Sequence, residues 1–423
     1  MKQMTRWIWL FSISILLFGC GQDGKNGSKV DLSGKTDASI HAVIERIAHH
    51  HIQTLKNGSY PDVTSLEQAM NAEEPQGISW NYPWGVALYG MEHVADVTGD
   101  TAITNFVLEH NRICGRYDVW LESLRKKLQD NKQLEDFLDH TRLGEFMILD
   151  RLDFCGAMGA QMLEGVLHTN TKLTPDERTM LDTIAVYITQ KQARLPDSTL
   201  WRPKVMGGTI WADDLYMSCP FLVRWYEYTG DRKYIDDAAH QIINMAKRLQ
   251  DTDGVWYHGY FVNKQERSPY KWGRANGWAM VATVEVLSAL PDDDPNRGKL
   301  LEILRKHISG VEKLQASDGM WHQVLDHPEL WDETSCTAMF TYSIARAVNR
   351  GWIDASNMKV ARKAFEGICQ HVTPEGVVNG TCQGTGIGTT LQFYKDRKRP
   401  SDDMHGPGPV MLAGAEILVG SQN

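Results

Sequence analysis

The 423-residue chain carries a net charge of -9, with 42% hydrophobic and 23% charged residues. That balance supplies no basic field of the kind nucleic-acid binding needs, so any acidic partner must be met by locally placed Arg, Lys or His. Seven cysteines without CxxC spacing make a zinc site built on cysteine improbable, and an oxidising compartment would allow a disulfide without requiring one.

At the N-terminus, Lys2 and Arg6 precede an apolar run from Trp7 to Phe18 and then Gly19-Cys20. This is the layout of a lipoprotein signal peptide, residues 1–20, with Cys20 as the lipidated first residue of the mature chain. The run is shorter than the ~20 residues a membrane-spanning helix needs. Residues 21–36 are mostly Gly, Ser, Asp and Lys and read as a flexible tether. The expected location is therefore outside the cytoplasm, lipid-anchored in the bacterial periplasm or on the outer-membrane surface, with the membrane touched only through the anchor. Residues 37–423 are then one catalytic-sized domain if the chain repeats.

It does repeat. Six segments mix small and large apolar residues as a close-packed helix requires, beginning at Gly85, Gly156, Tyr216, Gly277, Thr337 and Gly408, which lie 71, 60, 61, 60 and 71 residues apart. Such a period fits two helices and two loops. Between them run amphipathic stretches with one polar face, such as Ser39 to Leu55, Pro175 to Gln192, Ile235 to Leu249, Gly298 to Gln315 and Met358 to His371. Inner and outer helices alternating six times predict an all-α fold, the (α/α)6 barrel. An open superhelix of hairpins is the alternative, but it does not explain a count of six. In chain order, His49-His50-His51 on the first outer helix reads as a solvated face, since consecutive helical positions point about 100° apart and should not converge on one ion. The charged run from Lys395 to Asp403 reads as an exposed loop, with Asp402 and Asp403 solvated.

Loops rich in Trp, Gly, His and Asp precede the inner segments, where a ring of this kind would form a cleft. Asp253-Gly254 and Asp318-Gly319 are tight-turn signals, and the Trp and His that follow them are better site candidates. Two acids stand at equivalent places before inner helices: Asp153 before Cys155-Gly156, and the pair Asp213/Asp214 before Tyr216. Across a closed ring they would face each other, and mutual repulsion would keep one protonated for general acid catalysis. Helix geometry allows only one of Asp213 and Asp214 to point into the cleft, and the pattern alone leaves that choice open.

The segments LDFCGAMGA, WADDLYMSCPFL, WYHG, KWGRANGW, GMWHQVLD, ETSCTAM and HGPGPVMLAGAE together resemble glycoside hydrolase family 105, the unsaturated rhamnogalacturonyl hydrolases, relatives of the unsaturated glucuronyl hydrolases of family 88. The resemblance runs from about residue 40 to 420. It implies an (α/α)6 barrel that removes a terminal 4,5-unsaturated uronic acid from lyase-generated oligosaccharides, with no metal or organic cofactor. It also implies that the acid is Asp213 and its partner carboxylate Asp153. Trp201-Arg202-Pro203-Lys204 supplies a basic pair in a setting that departs somewhat from the family's. Arg274 is the candidate for bidentate pairing with the uronate carboxylate. Trp272 and Trp278 are candidates to stack on the sugar, and His258, Asn276, Arg202, Trp84, His322 and His405 complete the expected contacts. The partner is an unsaturated acidic oligosaccharide; the oligomeric state is not specified by the sequence.

Overall fold

Hydrogen-bonded end caps explain where several helices begin. In the computed structural model, which describes residues 34–54, 80–128 and 149–422, Asn81 caps α2 (Tyr82–Thr98) by accepting from the Trp84 amide at 3.0 Å, with Pro83 in the first turn. Thr174 and Glu177 form a reciprocal capping box at the start of α5 (Pro175–Val186). Gly99, at φ 74°, ends α2 in a left-handed conformation that costs glycine no strain. The signal peptide, Cys20 and nearly all of the tether lie outside the described residues. Among those described, no helix is long and apolar enough to cross a membrane.

The remaining helices are α1 (Asp37–Thr54), α3 (Thr101–Leu128), α4 (Gly156–Thr169), α6 (Cys219–Thr229), α7 (Lys233–Leu249), α8 (Gly273–Ala289), α9 (Arg297–Glu312), α10 (Thr334–Asn349), α11 (Met358–Cys369), the short α12 (Leu391–Lys395) and α13 (Pro407–Gln422). Every predicted inner segment falls on one of α2, α4, α6, α8, α10 and α13. Each of these packs on the next, and α13 packs back on α2, so the ring is closed. The open superhelix is thereby excluded. Helices α1, α3, α5, α7, α9 and α11 form the outer layer. Of these, α3 is the one for which the sequence reading named no segment.

The small residues of the inner helices let their backbones approach. A Cβ on Gly156 would lie 1.7 Å from the Met217 carbonyl oxygen, and one on Gly408 would lie 2.5 Å from the backbone of Val86. Because residues near the start of each inner helix meet residues near the start of its neighbour, the six run parallel and their N-termini gather at one end of the ring. Negative charge is favoured there by the helix dipoles. At that end lies a small antiparallel sheet, β1 (Thr209–Trp211), β2 (Gly259–Phe261) and β3 (Glu266–Arg267). All six cysteines after Cys20 are buried, and none of them is joined in a disulfide.

Candidate active site

Strand register brings the first two functional side chains together. Trp211 pairs with Gly259, and the Ala212 amide donates to the His258 carbonyl at 3.1 Å, so the 3-10 turn Ala212–Leu215 starts beside His258. His258 Nε2 then lies 3.4 Å from Asp213 Oδ2. Oδ2 is buried and has no hydrogen-bond partner, while the Asp213 side chain retains 11% exposure, so the part that water reaches lies on its other atoms. His258 is fully buried, and its Nδ1 meets the Tyr394 hydroxyl at 2.8 Å. The Tyr394 hydroxyl also accepts from the Gly388 amide at 2.9 Å, so it joins His258 to the loop at Gly388.

Asp214 has the opposite environment. It is fully buried and gripped by Arg202, whose Nε is 3.1 Å from both carboxylate oxygens and whose Nη2 is 2.5 Å from Oδ1. Burial pushes the Asp214 carboxyl up to about 6 against the pull of Arg202, which leaves it ionised at neutral pH. The same guanidinium reaches Asp153, with Nη1 2.9 Å from Oδ2. The expected facing pair of Asp153 and Asp213 is thus altered: a cation held between Asp153 and Asp214 offsets the anticipated repulsion. Arg202, expected to contact substrate, is largely occupied by these two carboxylates and stacks 4.6 Å over the Trp211 ring. A cavity of about 430 Å³ opens beside the pair, lined among others by Arg151, Trp201, Lys204 and Asp214. Asp213 is not on its wall, so the cavity adjoins the acid across Arg202 and Asp214.

On the other side, Tyr82 makes an edge contact with Trp278 and a 2.6 Å hydrogen bond to His405 Nε2. His405 Nδ1 is held by Asp403. Burial and the nearby Arg274 lower the His405 pKa despite Asp403, so the ring is neutral and accepts the Tyr82 proton. Both Asp153 and Asp213 act electrostatically on the Tyr82 phenol, whose ionisation burial pushes upward. Asp213, Asp153, Arg202, His258 and His405 therefore share one neighbourhood.

Several expected contacts are placed otherwise. Arg274 is 1% exposed and donates to the Cys382 and Gln383 carbonyls and to Ser335, with Glu333 3.7 Å away. Its terminal nitrogens hold the loop at Cys382 against α10, while its Nε is buried without a hydrogen-bond partner. Asn276 is fully buried and bonds Trp256 N and O and the Trp272 carbonyl, which makes it a loop brace. Trp272 and Trp278 are also buried, packed on His258 at 4.6 Å and on Tyr216 at 4.5 Å, and offer no open face for a sugar. Trp84 directs its ring to His51 on α1, and Tyr82 two residues earlier takes the place expected for it. His322 Nδ1 lies 2.8 Å from Asp332 rather than at the acid. Asp403 is not solvated, being the partner of His405.

Sequence reasoning did not single out Tyr82, Tyr394 or Asp403. Tyr82 follows the Asn81 cap and could have been found from that helix start. Tyr394 reaches His258 from 136 positions away, and nothing local announces it. Trp211, the first residue of the WADD segment, is half-buried and is the aromatic side chain in place beside the acid.

Residues 44–419 match Glycosyl Hydrolase Family 88. YesR of Bacillus subtilis, an unsaturated rhamnogalacturonyl hydrolase, is 25% identical over 351 residues, which is 81% of this chain and 90% of that protein. An unsaturated 3S-rhamnoglycuronyl hydrolase of Alteromonas sp. is 31% identical over 216 residues, 49% of this chain and 51% of that protein. Here the chain spans about half the length of the relative. A solved structure described as a possible member of the GH105 family from Salmonella enterica superposes with a TM-score of 0.69 at 24% identity, covering 90% of this chain and 94% of that one. At that identity the likeness bears on the fold, and it agrees with the ring of six hairpins.

Proposed function

The chain belongs to glycosyl hydrolase family 88 and is an unsaturated uronyl hydrolase, and we propose that Asp213 begins its reaction by protonating C4 of the substrate's C4=C5 double bond. That bond adjoins the ring oxygen, so the terminal sugar is a vinyl ether and accepts a proton on carbon. Positive charge then develops at C5. Water adds there and returns its proton to the Asp213 carboxylate; the resulting hemiketal opens and the remaining saccharide leaves. The carboxylate-spacing rule for retaining and inverting glycosidases does not govern such a route.

The observation that carries this reading is the contrast between the adjacent acids. Asp214 is locked by Arg202, while Asp213 has an oxygen with no partner, a histidine beside it and a side chain that remains 11% exposed. Asp153, held by Arg202 at the head of α4, supplies a second negative group near the developing cation. The six gathered helix N-termini favour the uronate carboxylate.

The test is incubation with a panel of lyase-generated unsaturated disaccharides, differing in the sugar next to the uronide and in sulfation, while following ultraviolet absorbance of the double bond. Absorbance should fall. A lyase would raise it, and no change on any member would refute the reading. In Asp213→Asn the decay should slow by roughly 10²- to 10⁴-fold, the contribution of a positioned proton donor.

A further inference from the structure

Away from the acid pocket, α1 carries the three consecutive histidines. His49 does turn away, pairing with Asp100 at 2.9 Å. His50 and His51 instead meet a common target, Asp402, which reaches α1 from the loop before α13. His50 Nε2 lies 2.9 Å from Asp402 Oδ2 and His51 Nε2 lies 3.9 Å from Oδ1. The two rings pack edge to face at 5.0 Å, and the three donor atoms all lie within 4.8 Å of one another. The expected solvated face is therefore corrected: His51 is 2% exposed and Asp402 is half-buried.

An independent observation points to a ligand. His51 Nε2 is buried without a hydrogen-bond partner, and at 3.9 Å the Asp402 oxygen is too distant to be one. Leaving such a nitrogen unsatisfied costs about 1–3 kcal/mol. Asp402 itself occupies a left-handed conformation, φ 57°, which Asp and Asn enter more readily than other residues with a side chain.

Two imidazole nitrogens and one carboxylate oxygen are the donors that zinc and similar late first-row ions take. Bonds of about 2.0–2.1 Å in a tetrahedron separate neighbouring donors by roughly 3.3 Å. The Asp402 oxygens lie 2.9 Å from His50 Nε2 and 3.9 Å from His51 Nε2, on either side of that spacing, and all three donor atoms fall within 4.8 Å of one another, so the set must draw together to hold an ion. We propose that His50, His51 and Asp402 form a structural site for a divalent transition-metal ion, with the fourth position left to water. The ion would tie outer helix α1 to the loop whose next residue, Asp403, holds His405 against Tyr82. The site touches neither Asp213 nor His258 and takes no part in protonating the sugar, so it stands or falls separately from the role of Asp213.

The full chain, free of any polyhistidine tag and stripped with a chelator, should be titrated with zinc chloride by calorimetry near pH 7. One ion per chain is expected, with a higher melting temperature in its presence. Binding should be lost in Asp402→Asn, where Asn tolerates the left-handed backbone, and in His50→Gln and His51→Gln, each checked for folding by circular dichroism. His49→Ala should bind as the parent does. Absence of a saturable heat, or binding that survives these three substitutions, would overturn the site and leave a plain His50–Asp402 hydrogen bond.

Discussion

Asp213 and Asp214 are neighbours in sequence and opposites in environment, and that difference separates the effects of two isosteric substitutions. Asp214 is one end of a buried ion pair, so Asp214→Asn leaves Arg202 short of a countercharge. Removing one partner from such a pair costs on the order of 3 kcal/mol. A lower melting temperature is expected together with lost activity, because Arg202 also orients Asp153. Asp213→Asn breaks no hydrogen bond at Oδ2 and should lose activity while melting within a degree or two of the parent. Paired thermal melts and absorbance assays decide the matter: equal melting temperatures for both variants would contradict the division of labour. Spacing located the acid only to this pair, and the family resemblance chose Asp213. What distinguishes the two physically is Arg202, 12 positions from Asp214, whose bidentate grip cannot be read from local pattern. Arg274 shows the same limit. It was legible as a cation in an aromatic loop, but the carbonyls it bonds come from 108 and 109 positions later.

Helices were the most legible elements, because their signal is periodic. The six inner segments were recognisable by small residues mixed with large ones, and the structure supplies the reason: their glycines sit where a neighbouring backbone or side chain leaves no room for a Cβ. Gly156 is the tightest case and lies between the turns that carry Asp153 and Asp213. A Cβ there would overlap the Met217 carbonyl and push α4 away from the WADD turn. Gly156→Ala should therefore cost about 1–3 kcal/mol as overpacking, or more if the turn cannot shift. It should also depress the rate in the surviving folded fraction. Alanine favours helix more than glycine does, so a melting temperature equal to or above the parent's would refute the close approach. The three short strands were not legible, since two or three residues are too few for alternation to show. Yet their register sets His258 against Asp213. The outer helices were read from their amphipathic faces, with α3 unnamed and α1 misjudged at His50 and His51, where tertiary contact with Asp402 overrides the solvated-face reading.

At the scale of the whole ring, a largely buried charged network links all six inner helices. Glu164 of α4 pairs with Arg224 of α6 at 2.5 Å, and Arg224 with Glu285 of α8 at 2.7 Å. Tyr89 of α2 and Tyr342 of α10 donate to Glu285, and Arg346 of α10 joins it to Glu416 of α13. Burial alone would raise the Glu285 carboxyl, but Arg224, Arg346 and the Tyr342 hydroxyl outweigh it and hold the value at about 2, below the ordinary 4.5. A folded-state value lowered in this way stabilises the protein above pH 4.5, and the contribution is lost as pH falls toward 2. The difference corresponds to roughly 3 kcal/mol. Glu92 acts with the opposite sign: burial and the nearby Glu164 raise its pKa, so its contribution grows as pH falls. The net acid sensitivity of the parent mixes both, and a difference measurement isolates Glu285. Glu285→Gln should unfold at a lower denaturant concentration at pH 7, because two buried guanidiniums lose a countercharge. Between pH 5 and pH 3 its midpoint should fall less steeply than the parent's, so the two curves converge. Parallel curves over that range would show that Glu285 is not the group through which acid loosens the ring.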